Sequence, residues 1–215
     1  MSWSLTEGAQ KGCYAVAIVW QTPLGVESYV ALGRALEVPR FSCPACGKPM
    51  SFWGWSERDL RAVKSHRLAV RRQRCRPCGT SHDVLPSFIT HGRLDAIGVI
   101  GAALEAMVGA AGRGTRTVAQ RVGLPHTTVR DWRRRFMSRA EVLSTGASRA
   151  VVALGGVVPR LAGTPGAVAI GALRAAWREA LRRSRGAVGS LWRFANGLVG
   201  SHLLSTNINP PWSTS

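Results

Sequence analysis

The chain is 215 residues long and 46% hydrophobic, with 29 basic side chains against 11 acidic ones and a formal charge of +18 at pH 7. The apolar share excludes a disordered polycation, and the length leaves room for one or two small domains but not for a large enzyme core with appendages. A charge of this size and sign favours a polyanionic partner, nucleic acid or an anionic membrane surface.

The membrane reading fails on length. The longest apolar-plus-glycine runs, residues 96–104 and 166–173, fall far short of the roughly 20 residues that span a bilayer. Glu7 precedes any cationic residue, and the apolar run over 13–20 lacks a small-residue cleavage site, so no secretory signal is expected and the default location is cytoplasmic. In that setting five cysteines read as thiols or metal ligands rather than disulfides. The charge is also localised: about +6 over residues 56–79, about +7 over 111–140 and about +7 over 146–215.

Residues 1–40 form an N-terminal segment. CYAVAIVW over 13–20 suits a buried strand, with Cys13 as an apolar core residue, and a short helix is expected over 26–36, ended by Pro39. Residues 41–91 change texture, with paired cysteines, turns and aromatic-rich short strands, and are predicted to be a zinc ribbon. Cys43, Cys46, Cys75 and Cys78 make two C-x-x-C units, each followed by a glycine that can take positive φ. Four thiolates complete a closed tetrahedral site, so one structural Zn2+ is the expected cofactor. A redox dithiol or an iron–sulfur cluster is the alternative. His82 is either a substitute ligand or a polar turn residue. Arg61, Lys64, Arg67, Arg71, Arg72 and Arg74 lie between or beside the knuckles, as a solvated face or as phosphate contacts. Phe52, Trp53 and Trp55 are read mainly as core of the small module, with base stacking as the alternative.

Residues 92–143 are predicted to be a helix-turn-helix domain. Ile97, Ile100, Leu104 and Met107 share a helical face that Gly98 and Gly101 weaken. In TRTVAQRVGLPHTTVRDWRRRF, Ala119 is the small residue where two helices cross, and Gly123 supplies the positive φ of the turn. Val118, Val122 and Leu124 face the core, Val129 and Trp132 pack back against the first helix, and Pro125 fixes the entry to the second. The outward face then carries the candidate DNA contacts. Arg130 and Arg134 are assigned to base edges, His126, Thr127 and Thr128 to base or phosphate near the helix start, and Arg116, Arg133 and Arg135 to phosphates. Residues 144–166 read as a linker. Residues 167–204 read as a basic helical segment, with Leu173, Trp177 and Leu181 on one face and Arg174, Arg178, Arg182 and Arg185 on its neighbour. Residues 205–215 read as a disordered tail.

A two-knuckle zinc ribbon leading directly into a helix-turn-helix resembles the N-terminal DNA-binding portion of insertion-sequence transposases. The strings VESYVALG, VPRFSCPACGKPMSFWGW, RRQRCRPCGTSHDVLPSF and GLPHTTVRDWRRRF look more closely like a family of bacterial helix-turn-helix proteins of that descent, over about residues 24–143. The resemblance implies DNA binding, at the ends of a mobile element, and brings no established activity. Strand transfer needs three carboxylates on a large sheet, and only Glu141 and Glu179 lie beyond the helix-turn-helix, so no catalytic residues are expected.

The expected whole is therefore an α+β, non-enzymatic, sequence-specific binder of double-stranded DNA, transposase-related or accessory to transposition. A transcriptional regulator and an adaptor for a separately encoded recombinase or polymerase are the alternatives. The C-terminal basic segment leaves open a homodimer, non-specific DNA binding or contact with a partner protein.

Overall fold

A computed structural model describes residues 17–109, 112–184 and 188–204. Cys13, most of the predicted N-terminal strand, Arg185 and the predicted tail lie outside the described residues. The architecture is mixed α and β: strand β1 (Ile18–Trp20), helix α1 (Val26–Leu32), strands β2 (Ser51–Arg61), β3 (Ser65–Arg74) and β4 (Ser81–Pro86), then helices α2 (Ile97–Val108), α3 (Thr115–Val122), α4 (His126–Met137), α5 (Ala140–Ala153), α6 (Pro165–Arg183) and α7 (Leu191–Leu198).

The sheet runs in the order β1-β4-β3-β2. β2, β3 and β4 pair antiparallel, with a bulge in β2 between Phe52 and Gly54, and β1 joins β4 parallel. Along β3, His66, Leu68 and Val70 alternate inward, the period-two pattern of a sheet with one packed face. One end of the sheet carries the cysteine turns. The other is tied to the helices: Arg61 Nε and Nη2 bind Asp95 Oδ1 and Oδ2 at 2.9 and 3.0 Å, while backbone bonds link Arg61 to Leu94 and Ala96.

The expected face of α2 is the observed one, since Ile97, Ile100, Leu104 and Met107 are all buried. The two glycines differ in role. A Cβ at Gly101 would lie 2.1 Å from the Trp192 ring, so this glycine lets α7 approach α2, whereas Gly98 has nothing within 4 Å. Trp192 Nε1 donates to Glu105 Oε1 at 2.8 Å, and Arg174 on α6 donates to Glu105 Oε2 at 2.8 Å. Asn196 of α7, fully buried, donates from Nδ2 to Ser87 O and Ile89 O and accepts from Thr90 Oγ1, which pins the helix to the segment that follows β4.

The predicted linker is replaced in its first half by helix. Residues 144–153 belong to α5, and only residues 154–164 connect it to α6. Its glycine- and alanine-rich composition serves close packing instead: Gly146 and Ala147 on α5 and Ala169, Ala172 and Ala176 on α6 are buried. The buried stripe of α6 is correspondingly alanine-rich, and Trp177 and Leu181, predicted to share its apolar face, are only half-buried. The predicted boundaries between ribbon, middle and C-terminal segment do not divide the core, because one cluster runs from Leu60, Leu68 and Val70 of the sheet through α2, α4 and α6 to α7. A second, small cluster surrounds Cys43, Met50 and Cys75.

Candidate functional site

Each cysteine pair sits on a turn built to the same plan. Cys43 N–H donates to Lys48 O and Gly47 N–H to Cys43 O, while Cys75 N–H donates to Thr80 O and Gly79 N–H to Arg76 O. Gly47 and Gly79 have φ of 70° and 67°, the left-handed conformation that closes each turn and that a side chain would disfavour. Strand pairing then brings the turns together. The ligating atoms of Cys43, Cys46, Cys75 and Cys78 all lie within 4.8 Å of one another, with Cys43 to Cys78 at 3.9 Å and Cys46 to Cys75 at 3.4 Å.

A tetrahedron with metal–sulfur bonds of about 2.3 Å has sulfur–sulfur edges of about 3.8 Å. The four thiols fit one metal ion on that measure. Burial opposes ionisation of Cys43, but the amides of Ala45 and Cys46 and the thiols of Cys75 and Cys46 outweigh it and bring the thiol down to about 6. A thiolate at neutral pH is the form that binds a metal.

Residues 43–121 match the family described as Domain of unknown function (DUF6431).

The matched region spans both cysteine turns, β2 to β4, α2 and most of α3, which is well under half of the chain, and it stops short of α4. Comparisons with curated proteins and with solved structures give no match.

His82 is not the polar turn residue expected of it. It lies inward on β4, paired with Gln73 of β3, and its Nε2 is 3.9 Å from Cys43 Sγ, so it stands behind the four sulfurs rather than among them. The alternation of His82 and Val84 along β4 was the signal, legible once the strand is recognised.

The six cations between and beside the cysteine pairs separate into two groups. Arg61 binds Asp95, Lys64 binds Glu27, Arg67 binds Glu57 and Arg72 binds Asp83. Arg71 lies instead against both Phe52 and Trp55, at 4.3 and 4.6 Å from their ring centroids, and Arg74 lies 4.4 Å from that of Trp53. Trp53 and Phe52 are exposed, so they are not the module's core; that role falls to Met50 and the cysteines.

Within α3 and α4 the residues assigned to the core are inside: Val118, Ala119, Val129 and Trp132 are buried, and Val122 and Leu124 are half-buried. Gly123 adopts φ 66°, and its N–H caps α3 on the carbonyls of Ala119 and Gln120. Pro125 stands at the N-cap of α4. Arg116, Thr127, Arg130, Arg133 and Arg134 are exposed, whereas His126, Thr128 and Arg135 are half-buried. His126 Nε2 is hydrogen-bonded to Thr115 Oγ1 at 2.8 Å and so joins the starts of the two helices.

Asp131 organises the outer face of α4. Its carboxylate accepts from Arg134 and Arg135, each at 2.6 Å, and from Arg93 at 3.5 Å. Burial works against its charge, but the bonds from Arg134 and Arg135 outweigh it and hold the carboxyl below the usual range. Arg135 is thereby drawn inward. Among the described residues Arg116, Arg130 and Arg133 enter no ion pair.

Proposed function

We propose that this chain is a zinc-stabilised, sequence-specific binder of double-stranded DNA in which α3 and α4 form a helix-turn-helix and α4 enters the major groove. The observation that carries the reading is the outer face of α4. Arg130, Arg133 and Arg134 are exposed there on a helix anchored from behind by Val129, Trp132 and Phe136. Arg116 lies exposed on the adjoining α3. Asp131 is the only carboxylate between Glu105 and Glu141, so the surface has almost no negative charge to repel phosphate. Recognition helices present their early turns to base edges while flanking cations meet the backbone. Arg130, one turn into α4, is assigned to a base edge, and Arg116 and Arg133 to phosphates. Arg134 reads bases only on leaving Asp131, and Arg135 positions Asp131 rather than touching DNA.

The metal is assigned to zinc because a closed set of four thiolates on two glycine-closed turns suits it, and it serves folding rather than chemistry. The setting we infer is transposition, as a transposase-related or accessory protein without a catalytic core, on the resemblance of the knuckle-plus-helix arrangement to transposase N-termini.

The test compares a selected duplex with a scrambled one. Arg130→Ala should lose about 1–3 kcal/mol of discrimination, while Arg133→Ala should weaken both alike and reduce the salt slope by about 1. Equal affinity of the wild type for both duplexes would remove the sequence-reading claim.

A further inference from the structure

The knuckle end of the sheet carries a second surface that the duplex reading does not use. Between Glu37 and Glu57, and again between Asp59 and Asp83, the chain has no carboxylate. Pairing of β2 with β3 brings these two stretches side by side. Arg40, Lys48, Arg71, Arg74 and Arg76 fall in them, and among the described residues none of the five is in an ion pair. Four thiolates around a divalent ion leave about two net negative charges, which offset only part of this excess.

Aromatic side chains stand among these cations. Arg71 lies over the rings of both Phe52 and Trp55, Arg40 lies 5.2 Å from the Phe52 centroid, and Arg74 stacks on Trp53. Phe52, Trp53, Arg74 and Arg76, with Ser51, line one cavity of about 330 Å³. Trp53 is 56% exposed. An indole left this open beside a bulge does not contribute to a core. Its environment combines an indole that Arg74 covers on one side but that is still more than half exposed with guanidinium groups close by, which are the two elements that hold an unstacked base and its phosphate. A flat duplex offers neither an accessible base face nor a reason for the aromatic residues.

We propose that this cleft binds single-stranded nucleic acid, with a base stacked on Trp53 and flanking phosphates on Arg74 and Arg76. The site is separate from α4, so its failure and that of the duplex reading are distinguishable.

The full-length, metal-loaded chain is titrated with labelled (dT)12, (rU)12 and a 12-base-pair duplex, followed by anisotropy and by tryptophan fluorescence. The wild type should bind a single strand and lose tryptophan emission as it does. Trp53→Ala should weaken that binding about tenfold, Trp53→Phe should retain most of it, and Arg76→Ala should flatten its salt slope by about 0.7. Duplex affinity should stay within about twofold in all three. Metal content and melting temperature, measured on each variant, show that the fold is retained. Absence of single-strand binding in the wild type, unchanged binding by a folded Trp53→Ala, or equal losses on single strand and duplex would overturn the proposal. The better-bound of (dT)12 and (rU)12 identifies the strand's chemistry.

Discussion

Single atoms decide how closely this chain packs, and the glycines of α2 show it. Both were expected to weaken the helix, yet only one serves packing. Gly101 makes room for the Trp192 ring, whose indole N–H is held by Glu105, so Gly101→Ala drives a methyl into a ring that has no easy retreat. A loss of about 2–3 kcal/mol is expected, against a gain of up to about 1 kcal/mol for Gly98→Ala, where a methyl meets open space and helix propensity alone acts. Urea denaturation of the two variants checks the pair, and equal effects would contradict the assigned roles. Asp131 teaches the converse lesson. Its sequence context, one acid among eight arginines from Arg113 to Arg139, marks it as unusual, but only the fold reveals that it binds two of these, Arg134 and Arg135, together with the distant Arg93.

At the scale of elements, the parts governed by local rules were legible. The paired turns, the buried face of α2, and the Ala119, Gly123, Val129 and Trp132 pattern of α3 and α4 all depend on residues close in sequence, and spacing specifies them. The segment over 144–153 was not legible, because glycine and alanine signal both a loose connection and a tight helix contact. Only the partner, the alanine stripe of α6, separates the two meanings. The same ambiguity hid Phe52 and Trp53, which composition alone assigns to a core. Around the sulfurs that core amounts to Cys43, Met50 and Cys75 with Ile18, Phe41 and Cys78 against them, too little to hold the turns unaided. On the proposed zinc assignment a strong chelator should therefore lower Tm by about 10 °C or more, and Cys46→Ser should do the same. A melting curve unchanged by chelation would contradict a structural metal.

For the molecule as a whole, the charge of +18 divides unequally. Part of the C-terminal share is paired within the chain: Arg174 and Arg182 pair at the surface with Glu105 and Glu179, and Arg193 donates to Ser87 Oγ and Thr22 O. Open cations lie on α3 and α4 and at the knuckle end of the sheet, and Arg160, Arg178 and Arg183 of the C-terminal part are exposed as well. No helix among the described residues is long and apolar enough to cross a membrane. The continuous core joins Leu60, Leu68 and Val70 of the sheet to α2, α4, α6 and α7, while the cysteine turns at the end of that sheet carry a small cluster of their own. The central claim is that α4 reads a DNA sequence. Its most direct test is selection of bound genomic fragments by the zinc-loaded protein at about 50 and 200 mM salt. One recurring motif is expected at both, with total binding falling by about one order of magnitude for the two phosphate contacts of Arg116 and Arg133. Fragments with no shared motif at either concentration, or no retained DNA at the lower one, would contradict it.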